Sequence, residues 1–294
     1  MISILMASYN YEAYMEEAIR SVLDQTWQDF ELLVIDDGSQ DGSLAMASAF
    51  AERDSRVRVL RHPDGKNHGL PATLQLGLAE ARGEWIAFLE SDDLWLPDCL
   101  ERRIKRAEAA CADAVFNDIR PLAMPGADTA WFDVYVPRVM QEHRQHGESA
   151  FSLRSAMLTE NKIPTFSCAM LKADRLRACA FDPPVPRWLD WWLWAQIAGE
   201  GSFAFLPEKC TLWRLHSESF NHKISLSRYL RDAAAMWKGF RHVLLPVYQR
   251  LGAKREERFL SCPFWMLFVA RFRAIVREKG LAKTLKSILQ RIKK

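Results

Sequence analysis

Apolar runs of strand length alternate with amphipathic stretches through the first 118 positions. Ile2 to Ala7 is an apolar run interrupted by Ser8, Tyr9 and Asn10, after which Tyr14, Ala18, Ile19, Val22 and Leu23 fall on one helical face. Glu31 to Ile35 predicts a second strand, closed by the turn residues Asp36, Asp37, Gly38 and Ser39, with a helix over about Ser43 to Arg53. Val57 to Leu60 predicts a third strand. A polar loop from His62 to Gly69 separates it from a helix over Pro71 to Ala81, which Gly83 stops. Trp85 to Leu89 is again of strand length and ends abruptly in Glu90, Ser91, Asp92 and Asp93. A helix over Pro97 to Ala110 and a strand over Ala114 to Asn117 follow.

Strands alternating with helices of this length imply right-handed crossovers and a mostly parallel sheet with helices on both faces. Ligands of such sheets sit beyond the carboxyl ends of the strands, where Ser8 to Asn10, Asp36 to Ser39 and Glu90 to Asp93 all fall. These clusters should converge on one crevice. From Arg120 to Gly147 the pattern is broken by Pro121, Pro125, Gly126 and Pro137 and reads as irregular. Thr165 to Met170 predicts a returning strand. Pro183, Pro184 and Pro186 lead into a buried helix over Trp188 to Ile197, and Phe203 to Leu206 and Cys210 to His216 predict two short strands.

Charge divides the chain unevenly. Residues 224–294 hold 17 Lys and Arg against 4 Asp and Glu, a net +13, which leaves −10 on residues 1–223. In the tail Leu281, Leu285, Ile288, Leu289 and Ile292 share one helical face, and Lys283, Lys286, Arg291, Lys293 and Lys294 supply the polar side. That pattern suits a helix lying on an anionic membrane surface without crossing it, or one packed on the acidic body. The six cysteines include no Cys-x-x-Cys pair and are expected to be reduced, and the first residues read as a strand and not as a signal peptide. Together these predict a cytoplasmic protein held peripherally at the membrane.

Carboxylates at a strand end suit Mg²⁺ or Mn²⁺, which bind through one or two protein carboxylates plus phosphate oxygens of a substrate. Asp92 and Asp93 equally suit a turn that caps the following helix. Neither Gly-x-Gly-x-x-Gly nor Gly-Lys-Ser/Thr is placed to hold a nucleotide, and no nucleic-acid partner is expected.

Several motifs in order resemble the inverting GT-A glycosyltransferases of family 2, over about residues 1–220. They are Ser8-Tyr9-Asn10, Ser21 to Thr26, Val34 to Ser43, Ala81 to Asp93 and Trp213-Arg214-Leu215-His216. The resemblance implies a GT-A fold, an α/β architecture with a helical C-terminal extension. Residues 1–223 would be the catalytic domain, split into a nucleotide-binding half (1–118) and an acceptor-binding half (119–223), and residues 224–294 a basic amphipathic extension. It implies that Ala7, Tyr9, Asp36, Asp37, Glu90, Ser91, Asp92 and Arg214 bind a nucleotide-diphosphate sugar. Asp92, with Asp93 and His216, would hold Mn²⁺ or Mg²⁺. Glu90 departs from the commoner Asp. Asp190 falls at the catalytic base, with Leu189 in place of the first member of the family's acidic pair, although an Asp in a first helical turn also suits the helix dipole.

The implied reaction transfers a sugar, with inversion, to the hydroxyl of a saccharide or lipid-linked saccharide in surface polysaccharide or glycolipid assembly. A nucleotide-sugar-binding or scaffolding protein of the same fold without catalysis is the alternative. A sugar nucleotidyltransferase would carry a Gly- and Lys-rich triphosphate loop near the N-terminus, which this chain lacks.

Overall fold

A computed structural model describes residues 1–127, 129–216 and 226–262. The elements in chain order are β1 (Ile2–Ser8), α1 (Glu12–Leu23), β2 (Phe30–Asp36), α2 (Ser43–Arg53), β3 (Val57–Arg61), α3 (Leu70–Glu80), β4 (Trp85–Phe88), β5 (Leu94–Trp95) and α4 (Cys99–Ala109). They continue with β6 (Ala114–Ala123), α5 (Ala130–Arg144), α6 (Arg154–Met157), β7 (Ala169–Lys172), α7 (Ala173–Arg177), α8 (Leu189–Glu200), β8 (Phe203–Leu215), α9 (Leu226–Arg250) and α10 (Lys254–Ser261). Eight strands form one sheet in the order β3-β2-β1-β4-β7-β6-β8-β5.

The sheet is parallel from β3 to β4, as the alternating pattern predicts. Beyond β4 it is mixed: β7 runs antiparallel to both β4 and β6, β8 is parallel to β6, and β5 is antiparallel to β8. Helices on both sides explain why β1 and β2 read as continuous apolar runs and not as alternations. Ile4, Met6, Leu32 and Val34 point into a core with Met15, Ile19 and Val22 of α1 and Ala47 of α2. On the other face Gly77 of α3 lies so close to Ile35 and Leu5 that a Cβ there would sit 2.8 Å from the Ile35 Cδ1. The two sets alternate along the strands, as the pleat requires.

Several expectations change. The stretch expected to be irregular contains the 15-residue helix α5, with Pro137 inside it. Thr165 to Met170 opens as a 3₁₀ turn over Phe166–Cys168 before β7 begins. The two short strands predicted after residue 202 are one strand, β8, bulged against β6 around Asp118. In α5 the broken signal comes from proline; in β8 it comes from Pro207, Glu208 and Lys209, and pairing with β6 carries the strand through.

The chain divides into two compact units, residues 1–182 with 188–217, and residues 183–187 with 218–294. In the second, Met236, Phe240, Leu244 and Tyr248 recur every four residues along α9 and are buried, as is Leu260 of α10. Arg187 pairs with Asp232 within this unit. The amphipathic stripe from Leu281 to Lys294 lies outside the described residues.

Candidate active site

The parallel register brings Ser8 opposite Asp36, so β1 and β2 end together. Asp36 is 1% exposed. Its Oδ2 accepts the backbone N–H groups of Gly38 (3.2 Å) and Ser39 (3.3 Å), with Arg61 Nε at 3.7 Å. Its Oδ1 is buried with no partner. Leaving a buried acceptor unpaired costs about 1–3 kcal/mol. Tyr9, 44% exposed, stands just past the end of β1.

Around this point the Asp-Gly-Ser-Gln-Asp-Gly-Ser run (37–43) makes a clasp. Ser39 Oγ accepts Asn10 N–H, Ser43 Oγ accepts Tyr11 N–H, Asp41 Oδ2 accepts Glu12 N–H, and Asn10 Oδ1 accepts Gln40 N–H. The side chains of one loop thus satisfy the free N–H groups at the start of α1. Gly38 is required where it stands: its φ is +80° and a Cβ would lie 2.7 Å from the Lys66 carbonyl carbon. Asp37 spends both oxygens on backbone, Oδ1 on His68 N–H (2.7 Å) and Oδ2 on Gly69 N–H (2.9 Å), so it acts on the crevice by holding the 62–69 loop.

Beyond β4 the chain is anchored at each step. Ser91 Oγ donates to the Ala7 carbonyl (2.9 Å), tying the acidic loop to the end of β1. Glu90 N–H donates to Ser167 Oγ (3.0 Å), and Thr165 Oγ1 bonds the Glu90 carboxyl. Arg103 stiffens the turn beneath: 0% exposed and stacked on Trp95, it donates to Ser167 O, Asn117 Oδ1 and Thr211 Oγ1. Burial and then the charge of Asp92 push the Glu90 carboxyl up to about 8.

The Asp92 carboxylate faces His216, with Oδ2 3.1 Å from Nε2. Asp93 stands apart from that pair. It is fully buried, its Oδ1 accepts Arg214 N–H (2.8 Å), and burial holds its acid well above the usual range. Asp93, expected to share a metal with Asp92 and His216, is tied to β8 through its Oδ1. Arg214 is also buried. Its Nε donates to the Asp92 carbonyl (2.6 Å) and its Nη2 to Glu17 (2.5 Å), with the guanidinium over the Tyr14 ring. Where a contact with a diphosphate was expected, Arg214 instead braces the backbone that presents Asp92.

Asp190 lies in the first turn of α8. Burial raises its carboxyl to about 7, opposed by N–H donation from Trp191 and by Asn161 Nδ2, which lies 2.7 Å from Oδ2. The Asp190 charge is felt at Glu90 and at Tyr135 of α5, so β4, α5 and α8 meet around it. A carboxylate poised near 7 is matched to abstracting a proton at neutral pH. The sequence motifs contain Glu90 to Asp92, Asp36, Asp190 and His216. They miss Asn161, Thr165, Ser167 and Arg103, which carry no motif spacing and reach the site only through the sheet.

The profile of the family described as Glycosyl transferase family 2 matches residues 3–172, more than half of the chain. The chain belongs to this family. A glycosyltransferase of Haemophilus influenzae, itself uncharacterized, is 40% identical over 104 residues, which are 35% of this chain and 41% of that one. The matched stretch thus spans less than half of that relative. Among solved structures, Staphylococcus aureus TarS 1–349 in complex with UDP-GlcNAc superposes with a TM-score of 0.59 at 17% identity, covering 85% of this chain and 72% of that one. The mannosyltransferase PcManGT from Pyrobaculum calidifontis, in complex with GDP-Man and Mn²⁺, gives 0.55 at 14% identity, covering 99% and 84%. These likenesses agree with the GT-A fold of family 2.

No group of three His, Cys, Asp or Glu side chains arranged to hold a metal ion occurs among the described residues. Asp92 and His216, paired with each other, are the residues here that could contribute two ligands to one. A carboxylate and an imidazole 3.1 Å apart suit a divalent ion that takes its other ligands from phosphate oxygens and water.

Proposed function

We propose that this protein transfers a sugar from a nucleotide-diphosphate sugar to an acceptor hydroxyl, with inversion at the anomeric carbon and Asp190 as general base. The observation that carries the reading is the Asp190 carboxyl, raised to about 7 by burial and lying where its charge is felt at Glu90 of the acidic loop. The nucleotide sugars bound by the TarS and PcManGT structures support a donor of this class.

Asp190 takes the acceptor hydroxyl's proton as that oxygen bonds to the anomeric carbon, and the bond from this carbon to the nucleoside diphosphate breaks. The open Oδ1 of Asp36 accepts an N–H from the base, which Tyr9 flanks. Ser91 keeps the loop against Ala7 at the ribose and phosphate side. A divalent cation, Mn²⁺ or Mg²⁺, held by Asp92 and His216 would neutralise charge on the diphosphate.

The acceptor in this reading is a saccharide or lipid-linked saccharide of surface polysaccharide or glycolipid assembly. The basic region 224–294 would hold the protein on the anionic cytoplasmic face of a membrane. Its net charge of +13 supports this, and among the described residues no helix is long and apolar enough to cross a membrane. The test is a thermal-shift panel of nucleoside diphosphates and their sugars, with and without Mn²⁺. A ligand at 100 times its Kd stabilises by about 2.7 kcal/mol, roughly 2–4 °C in a protein of this size. Shifts that Mn²⁺ enlarges in the natural protein but not in Asp92→Ala support the reading; no shift with any nucleotide overturns it.

A further inference from the structure

We propose that Asn161 is a positioning residue for the general base, its side-chain amide orienting the Asp190 carboxylate and stabilising the ionised form. The inference rests on the proposed role of Asp190 and adds a residue that no motif contains.

Asn161 lies between α6 and β7, and three contacts fix it. Its Oδ1 accepts Ile163 N–H at 3.1 Å, an Asx turn that determines which way the amide faces. With the oxygen committed there, Nδ2 is the atom turned to Asp190, 2.7 Å from Oδ2. The backbone carbonyl of Asn161 accepts the Tyr135 hydroxyl at 2.6 Å, which ties the turn to α5. Nearby, Trp191 Nε1 donates to the Met157 carbonyl at 2.6 Å, so the first turn of α8 is held to the same segment. An amide locked in this way donates to the carboxylate in a single geometry.

The surroundings give that donor its consequence. The titratable groups facing Asp190 are Glu90 from the end of β4 and Tyr135 from α5, and neither supplies positive charge. The Arg138, Glu142, Glu160 and Lys162 ion pairs satisfy one another beside the turn. Against burial, the Asp190 anion is helped by N–H donation from Trp191 and from Asn161. A hydrogen bond to the charged form favours that form. Without Asn161 the balance at neutral pH would move toward the protonated acid.

The two functions of the Asn161 side chain are separable by substitution. Asn161→Asp keeps an oxygen for Ile163 N–H but replaces the donor toward Asp190 with another acceptor. Asn161→Ala removes both. The measurement is the pH titration of the side-chain carboxyl carbons by NMR in protein labelled with ¹³C-aspartate. The Asp190 signal is assigned by its loss in Asp190→Asn. In the natural protein it should titrate at about 7. Asn161→Ala should raise that midpoint by about one on the pH scale, and in Asn161→Asp the carboxyl pair should show an upper midpoint well above 7. A midpoint that stays at about 7 in both variants overturns the inference while leaving Asp190 as base. An Asp190 that titrates in the ordinary carboxylate range in the natural protein overturns the electrostatic account of the base itself. Should Asn161→Ala fail to fold, Asn161→Ser decides, because its hydroxyl can still accept Ile163 N–H but is too short to reach Asp190 and adds no charge.

Discussion

At the level of single residues, the site places carboxyl groups where ionising them is unfavourable. Burial raises the Asp190 carboxyl from an ordinary 3.8 to about 7, so forming its anion in the folded protein costs stability. That cost is absent below about pH 4, where folded and unfolded chains both carry the proton. It grows through the window from about 4 to 7 and is complete above 7. Asp190→Asn should therefore unfold at a higher temperature than the natural protein at pH 8.5, by less than the roughly 4 kcal/mol that separates a midpoint of about 4 from one of about 7, because the Asp190 side chain keeps partial exposure to solvent. At pH 4 the two should melt alike. Equal melting temperatures at both pH values would mean that the carboxylate is not strained by burial. Asp36 offers a second residue-scale test. Asp36→Ala removes the partnerless Oδ1, and calorimetry should show about a tenfold loss or more in affinity for the nucleotide that the natural protein prefers. Unchanged affinity would place the base elsewhere. Asp36 and Asp190 are legible in the sequence because each stands at a strand end or helix start within a motif. The braced Arg214 is not, since a strand arginine reads alike whether it meets solvent or a backbone carbonyl.

At the level of elements, loops are positioned by side chains that grip backbone. Asp37 holds the N–H groups of His68 and Gly69. Asp37→Ala should destabilise the fold by about 1–3 kcal/mol, and hydrogen exchange at those two amides should become faster. Unaltered exchange would show that the 62–69 loop is ordered by other means. Gly83 gives a second case. The sequence marks it as a helix stop, yet α3 has already ended at Glu80. Gly83 is there because its amide donates to Ser3 Oγ and a Cβ would lie 2.5 Å from the Ser3 backbone nitrogen. Gly83→Ala should cost about 1–3 kcal/mol or more in urea denaturation, since a central strand cannot give way. A loss under half that would mean the β1 edge yields. The N-terminal strands and helices were legible because continuous apolar runs of strand length alternate with uninterrupted 3.6-residue periods. Helix α5 was not, because Pro137 and the preceding prolines break the local pattern and tertiary packing restores the helix. The returning strand near Met170 was expected, but the antiparallel direction of β7 was not, since a four-residue apolar run carries no direction.

At the level of the whole molecule, an acidic body and a basic C-terminal region share one chain. Each Lys or Arg near an anionic bilayer contributes about 1 kcal/mol at most, so the tail's cations suffice for reversible attachment. The full chain should co-sediment with anionic liposomes and lose binding in high salt, and a chain ending at residue 280 should bind less. Equal sedimentation of the two, or binding indifferent to salt, would count against this use of the tail. The reaction itself is tested most directly by nucleoside diphosphate release from a panel of nucleotide sugars with Mn²⁺ and saccharide acceptors, comparing the natural protein with Asp190→Asn. The natural protein should turn over at least one donor, and the variant should bind it as well but release diphosphate about 10²–10⁴ times more slowly. Equal rates for the two proteins, or binding of the donor with no turnover by either, would contradict the assignment of Asp190 as the base of a sugar transfer.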